Sequence, residues 1–182
     1  MIKKIVLYLG YIVRYLIYVK FNKRIKVKGF VKIQSNVKLV VEQGALLILG
    51  ENVVLKYDTT IFVKANSVLI IGSNTSTGHH TEITVGESII IGDDVIMAAY
   101  TYISDSNHKY DTNLLIRLSG MQTSPVQIGS NIWLGRNSQI LSGVTIGDNI
   151  VVAAGAVVTK SYESNVILGG VPAREIKRLS YE

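Results

Sequence analysis

The sequence contains no cysteine, only two prolines and a single tryptophan in 182 residues. Without cysteine the chain can form no disulfide framework, no cysteine-ligated zinc site and no cysteine acyl-enzyme. Charged residues make up 18% of the chain and hydrophobic residues 48%, which disfavours a disordered or coiled-coil protein. The formal charge is +6, yet the basic residues cluster towards the two ends and form no aromatic-interleaved patch. A phosphate-bearing cofactor or a membrane surface is therefore favoured over nucleic acid as the anionic partner.

What the sequence does contain is a six-residue repeat. On an α-helix six residues turn the chain by about 240°, so the repeated side chains would scatter over three faces. Six is a multiple of the two-residue strand period, so short strands joined by corners can point every repeated side chain inward. If three repeats make one turn, each member stacks on the member three repeats later. The aliphatic residues concerned are Ile128, Leu134, Ile140, Ile146, Val152 and Val158.

The repeat extends beyond this block and is interrupted once. From residue 25 to about 71 the six-residue step slips twice, which predicts insertions at corners. The step is regular again from Val85 to Ile103, stops at Ser104 and resumes at Val126. We therefore predict an all-β solenoid over 25–160 with an ejected loop at 104–125. Loops of this length inside a compact fold are more often functional than idle.

The first segment, 1–24, is predicted to contain an amphipathic helix, because apolar residues recur at helical spacing. It is too short, and too interrupted by Gly10 and Arg14, to span a bilayer. Two readings stay open for it: a cap on the open end of the coil, or attachment to a membrane surface.

The last segment, 161–182, is predicted to be a tail with a short helix. Pro172 suits the first helical position, where its missing N–H is no loss. Basic side chains would project from this helix, at Arg174, Lys177 and Arg178.

The hexads, the ejected loop with SDSNH, the tryptophan in IGSNIWLGRNSQILSGVTIGDN and the ending GGVPAREIKRL resemble the hexapeptide-repeat acyltransferases. The resemblance covers about residues 71–179 and is closest to the galactoside, maltose and capsular-polysaccharide O-acetyltransferases. It implies a left-handed parallel β-helix, assembled as a homotrimer. It also implies acetyl-coenzyme A as acyl donor and a carbohydrate as acceptor.

Transfer to a sugar hydroxyl needs a base, because the hydroxyl is a poor nucleophile until its proton is removed. His108 is the candidate, since it lies in the long loop where the family has its catalytic histidine. Either Asp105 or Asp111 could orient the ring by accepting a hydrogen bond from its other nitrogen. With no cysteine nucleophile, direct transfer is the simpler mechanism.

Trp133 lies between two residues whose side chains should point inward, so its indole should face out of the coil. The resemblance makes it a wall of the active-site groove near His108 of a neighbouring subunit, with plain subunit packing as the alternative. Tyr100 stands where the galactoside enzyme has an asparagine near the acceptor, so the acceptor pocket cannot be carried over. The adjacent His79 and His80 suit an acceptor-side contact or a solvated turn better than a metal site.

The resemblance also indicates where coenzyme A would lie. Its backbone contacts match Ala154 and Thr159, and the basic positions near its phosphates match Lys160 and Arg174, with Lys177 a further cation. Lysine and arginine can neutralise phosphates that glycine-rich corners alone cannot.

These observations lead to one expected function and two alternatives. The expected function is acetyl-coenzyme-A-dependent O-acetylation of a surface polysaccharide or its precursor. The alternatives are N-acetylation of a nucleotide-linked amino sugar, and a non-catalytic scaffold or carbohydrate-binding module. The expected location is the cytoplasm, with peripheral contact at the inner membrane face left open.

Overall fold

Three parallel sheets form the three faces of a coil in the computed structural model, which describes residues 2–20, 22–110 and 113–180. Side chains are described for 9–19, 22–110 and 113–180. The coil is a left-handed parallel β-helix of about six turns, which confirms the solenoid prediction. The chain visits the first, second and third face in each turn. We call the bends after these faces the first, second and third corner.

Each face is a stack of short strands. The first face consists of β1 (Ile25–Val27), β4 (Leu46–Leu49), β7 (Val68–Ile71), β9 (Ser88–Ile91), β14 (Val126–Ile128) and β17 (Thr145–Ile146). The second consists of β2 (Lys32–Ile33), β5 (Val54–Leu55), β10 (Val95–Met97), β15 (Ile132–Leu134), β18 (Ile150–Val152) and β20 (Val166–Gly169). The third consists of β3 (Lys38–Val41), β6 (Thr60–Val63), β8 (Glu82–Val85), β11 (Tyr102–Ser104), β16 (Gln139–Ile140) and β19 (Val157–Val158).

The interior is a set of aliphatic columns, as the hexads predict. The pairs Ile128↔Ile146, Leu134↔Val152 and Ile140↔Val158 are aligned in the parallel ladders, and all six residues are buried. Burying one such side chain contributes about 1.5–3 kcal/mol, so the columns stabilise the coil along its whole length.

The early turns are longer than three hexads. Ile25 pairs with Leu47 in the first turn, whereas in the later coil Ile132 pairs with Ile150, which lies three hexads further along the chain. The extra residues lengthen strands and corners, which is why the six-residue step slips near the start of the sequence.

Asparagine and aspartate shape the first corner. Their short side chains tolerate the left-handed backbone, and φ lies between 55° and 57° at Asn52, Asn74, Asp94, Asn131 and Asn149. Successive side chains also donate to one another, as from Asn131 to Asn149 at 2.8 Å. The corner repeats because each turn supports the next one.

The ejected loop leaves the coil at the third corner, between Asp105 and Val126. Its two arms form an antiparallel hairpin of β12 (Ser106–His108) and β13 (Met121–Thr123), and a 3-10 turn covers Ile116–Leu118. Several aliphatic side chains near its tip are exposed, including Leu115 at 62% and Leu118 at 58%. The loop thus projects from one edge of the coil with an apolar tip.

Helix α1 (Ile2–Tyr15) continues as a π-helical turn over Leu16–Lys20 and packs on the first turn of the coil. Tyr15, Tyr18 and Val19 contact the core, and the Tyr18 hydroxyl donates to the Val37 carbonyl at 2.9 Å. Among the helices of the described residues, none is both long and apolar enough to cross a membrane.

The prediction of a C-terminal helix is wrong. Residues 170–173 turn back across the coil end, and β21 (Arg174–Arg178) pairs antiparallel with β20. So short a helix does not form on its own, whereas the edge of the last turn offers unpaired backbone groups. Pro172 therefore lies in a turn, and the basic residues project from a strand.

Candidate functional site

His108 ends strand β12 at the base of the ejected hairpin. Its neighbour Ser106 is buried against the corner, while the side chains of Asn107 and His108 are exposed. Pairing with Met121 on β13 fixes the backbone on both sides of the loop. The imidazole is therefore accessible to a ligand and is carried by an ordered element.

Asp105 does not orient this histidine. It is fully buried, and its carboxylate accepts three backbone hydrogen bonds, from Gly86 at 2.6 Å and from Glu87 and Ser88 at 2.8 Å each. No hydrogen bond among the described residues joins this buried carboxylate to the exposed His108, so the expectation that Asp105 orients the ring is corrected. The residue instead holds the third corner where the loop leaves the coil. Asp111, the other candidate, lies outside the described residues.

Trp133 lies on the second face, where its side chain is 54% exposed between the buried Ile132 and Leu134. A cavity of about 190 Å³ lies beside the indole. The third corner, which carries His108, is the vertex of the triangular coil opposite the second face. Within one chain the two residues therefore lie on opposite sides of the molecule.

Tyr100 lies at the second corner in a left-handed conformation, with φ at 62°. This conformation is unusual for a bulky residue and costs about 1–2 kcal/mol. The ring stacks on His80 at 4.8 Å, and the Arg136 guanidinium lies 4.7 Å from the ring centroid. Such strain is typical of functional sites, so the second corner is a candidate for ligand contact.

The second corner continues towards the start of the coil as a row of rings and polar groups. His79 stacks on Tyr57 with ring centroids 3.6 Å apart, and its Nδ1 is buried with no hydrogen-bond partner in the described structure. The His80 Nε2 lies 3.9 Å from the Asp58 carboxylate. A polar cavity of about 550 Å³, lined in part by Asp58 and His80, lies alongside.

Sequence reasoning did not bring these residues together. The available signal was positional, because Asn36, Asp58, His80, Tyr100 and Asn137 occupy equivalent places in successive turns and all have positive φ. Asparagine or aspartate is the usual residue at this position, so the histidine and the tyrosine found there distinguish this corner from the others.

Lys160 and Arg174 are linked through Tyr162 and Ala173 at the far end of the coil. The Lys160 ammonium lies 5.4 Å from the centre of the Tyr162 ring, and the Tyr162 hydroxyl donates to the Ala173 carbonyl at 2.6 Å. The Arg174 guanidinium donates to the same carbonyl at 2.9 Å. Both cations are exposed, as is Lys177 on β21. The structure thus gathers two of the predicted phosphate contacts around one tyrosine.

The two predicted backbone contacts lie at different corners. Ala154 is exposed at the second corner, one turn beyond Arg136, whose carbonyl accepts from Gly155. Thr159 is exposed at the third corner, beside Lys160 and two strands beyond the His108 hairpin. His108, Thr159 and Lys160 therefore follow one edge of the coil.

Comparisons with known proteins show which family the chain resembles. The family described as bacterial transferase hexapeptide (six repeats) matches residues 125–160. Galactoside O-acetyltransferase of Escherichia coli is 33% identical over 150 residues, covering 82% of this chain and 71% of that protein. A provisionally named lipopolysaccharide-biosynthesis O-acetyltransferase of the same species is 30% identical over 141 residues, covering 73% and 72%.

A solved structure adds a liganded example. Galactoside acetyltransferase in complex with coenzyme A superposes with a TM-score of 0.53 and is 28% identical, covering 85% of this chain and 66% of that one. The repeats, the coil and the extent of these matches lead to one conclusion. The chain belongs to the hexapeptide-repeat acyltransferase family and is an acyltransferase.

Proposed function

We propose that this enzyme transfers an acetyl group from acetyl-coenzyme A to a hydroxyl group of a surface polysaccharide or its precursor. The observation that carries the proposal is the match to two O-acetyltransferases, each over more than 70% of both chains. The exposed imidazole of His108, on an ordered hairpin, is a group that can act as the base that the reaction needs.

His108 acts as the general base. Its imidazole takes the proton of the acceptor hydroxyl as the hydroxyl oxygen attacks the thioester carbonyl carbon. A carbon–oxygen bond forms, the carbon–sulfur bond breaks, and the departing thiolate takes the proton from the imidazolium. Because the chain has no cysteine, no acyl-thioenzyme stage is involved.

The donor's phosphates are held by the cations at the end of the coil. The Lys160 ammonium lies over the Tyr162 ring, and Arg174 and the Tyr162 hydroxyl both donate to the Ala173 carbonyl, so both cations lie at the same end of the coil. Thr159 offers exposed backbone along the edge that runs from this end to His108, and Ala154 offers exposed backbone at the second corner. Support for coenzyme A comes from the liganded galactoside acetyltransferase structure.

The site is completed between subunits of a homotrimer. Each copy carries His108 at one corner and Trp133 on the opposite face, so head-to-tail contacts in a closed ring can place one copy's histidine near the next copy's indole. The exposed apolar tip of the loop and the exposed second face are the surfaces such contacts would cover. Tyr100, with its strained backbone and stacked neighbours, is a candidate for the acceptor side.

An acceptor screen tests the proposal. The purified enzyme is incubated with acetyl-coenzyme A and a panel of polysaccharides, oligosaccharides and nucleotide-linked amino sugars, and products are identified by mass spectrometry. We expect a carbohydrate product gaining one acetyl group that mild base removes, since an ester is base-labile. A base-stable product would indicate an amide and an amino-sugar acceptor. No transfer or hydrolysis with any acceptor would indicate a non-catalytic scaffold.

A further inference from the structure

The N-terminal helix presents its most apolar stripe away from the coil. Leu9, Ile12, Val13 and Leu16 follow helical spacing and are exposed, with Ile12 at 45% and Val13 at 51%. Ile17, in the π-helical turn, is 58% exposed. An aliphatic stripe of this length normally faces the protein core. Here it faces outward.

The opposite side of the helix makes the contacts with the coil. Tyr15 packs on Phe30 with ring centroids 5.3 Å apart, and Tyr18 donates its hydrogen bond to the first turn. Arg14 also lies on this side, in a recess shared with Gln34 and Tyr57. The orientation of the helix is therefore fixed by polar and aromatic contacts, which leave the stripe uncovered.

The positive charge of the chain is concentrated at the same end. Segment 1–41 holds ten of the nineteen lysines and arginines and no aspartate or glutamate, since Glu42 is the first. Segment 42–182 holds the other nine basic side chains and all thirteen acidic ones. The formal charge is thus +10 on segment 1–41 and −4 on segment 42–182, which together give the +6 of the whole chain.

The first turn of the coil carries exposed lysines on all three faces. Lys26 lies on β1, Lys32 on β2 and Lys38 on β3, and each side chain is exposed. The ion pairs among the described residues are Asp58–His80 and Glu175–Arg178, and neither includes one of these lysines. The lysines therefore form an uncompensated ring around the end of the coil on which the helix lies.

We propose that this end of the protein docks on an anionic lipid bilayer. The aliphatic stripe enters the boundary between headgroups and acyl chains, and the ring of lysines meets the anionic headgroups. Apolar area and positive charge at one surface are the two contributions that bind interfacial helices. A second copy of the chain fits less well, because two ends of such high positive charge would repel each other.

Vesicle flotation at several salt concentrations tests the charge contribution. The full chain is mixed with phosphatidylcholine vesicles or with mixed phosphatidylcholine–phosphatidylglycerol vesicles. We expect binding to the mixed vesicles that weakens with salt, and little binding to the neutral ones. Each lysine near an anionic surface contributes roughly a fivefold change in affinity, so the double variant Lys26→Gln/Lys32→Gln should bind about thirtyfold more weakly. The control Lys109→Gln/Arg117→Gln removes the same charge from exposed positions on the ejected loop, three turns further along the coil, and should bind like wild type.

A second pair of variants tests the stripe. Ile12→Gln/Val13→Gln should lower vesicle affinity at least about tenfold while leaving thermal unfolding unchanged, because glutamine is a good helix former and both positions are exposed. The control is Ile90→Gln, an exposed aliphatic residue on the first face, which is 40% exposed. It should retain wild-type binding.

The absence of cysteine allows a direct probe of insertion. A cysteine introduced by Ile12→Cys can be labelled with an environment-sensitive fluorophore, whose emission should shift to the blue on mixed vesicles, whereas a label introduced by Ile90→Cys should not respond. Absence of wild-type vesicle binding at low salt would overturn the proposal. So would binding that survives the Ile12→Gln/Val13→Gln change. Stripe-dependent self-association without vesicle binding would instead assign the stripe to a second copy.

Discussion

Replacing Asp105 tests whether its carboxylate has a structural role or a catalytic one. Its oxygens accept from the backbone N–H groups of Gly86, Glu87 and Ser88 at 2.6–2.8 Å, and the side chain is fully buried. A hydrogen bond to a charged acceptor contributes about 1.5–3 kcal/mol, and partial exposure of the three donors lowers the sum. We expect Asp105→Ala to lower the free energy of unfolding by about 3–5 kcal/mol, which for a chain of this size lowers Tm by about 6–20 °C.

The isosteric change gives a graded result. In Asp105→Asn one oxygen still accepts from the backbone, while the new amide nitrogen faces donors, so the loss should be about 2–3 kcal/mol. Asp148→Asn is the matched control, because its carboxylate accepts from the single backbone N–H of Ser130 at an exposed corner. That control should change stability by less than about 1 kcal/mol.

The assay combines thermal unfolding with steady-state kinetics on the folded fraction. If Asp105 is structural, Tm should be lowest for Asp105→Ala, intermediate for Asp105→Asn and highest for the wild type. The folded Asp105→Asn enzyme should retain most of its turnover. A variant with wild-type Tm and a kcat reduced about a hundredfold would refute the reasoning and restore Asp105 as the residue that orients His108.

Four further substitutions, with Arg178→Ala as a control, test the rest of the site. Lys160→Ala and Arg174→Ala should each raise KM for acetyl-coenzyme A about ten- to a hundredfold and spare the acceptor's KM, whereas Arg178→Ala, whose guanidinium already pairs with Glu175, should change it less than about threefold. Trp133→Ala should shift assembly towards monomers in sedimentation experiments and lower kcat/KM, and a fully active monomer would contradict a shared site. Tyr100→Asn should leave the free energy of unfolding within about 1 kcal/mol, because relief of backbone strain offsets the lost stacking, yet raise the acceptor's KM. An unchanged acceptor KM would remove Tyr100 from the site.

The coil interior could be predicted from the sequence because one requirement repeats along it. The inward position of each strand holds an aliphatic side chain, and the later turns repeat every three hexads, so the columns through Leu134 and Ile140 follow from spacing alone. The ends do not repeat. Residues Arg174–Arg178 form a strand because the last turn leaves an edge to pair with, and that edge is not visible in the local sequence.

The site could be predicted only in part. The ejected loop and the exposure of Trp133 follow from where the period stops and from strand alternation. Asp105 illustrates what spacing does not specify: although it lies close to His108 in the sequence, its side chain points into the corner. The outward stripe of the N-terminal helix is a similar case, because periodicity identifies an apolar face but not what that face contacts.

The most direct test of the account is the kcat of His108→Ala, with Asn107→Ala, an exposed neighbour on the same strand, as control. If His108 removes the acceptor proton in the transition state, its loss should lower kcat by about 10²–10⁴ and leave the affinity for acetyl-coenzyme A unchanged. Asn107→Ala should keep a kcat close to wild type. A His108→Ala enzyme that turns over at the wild-type rate would contradict the proposed mechanism.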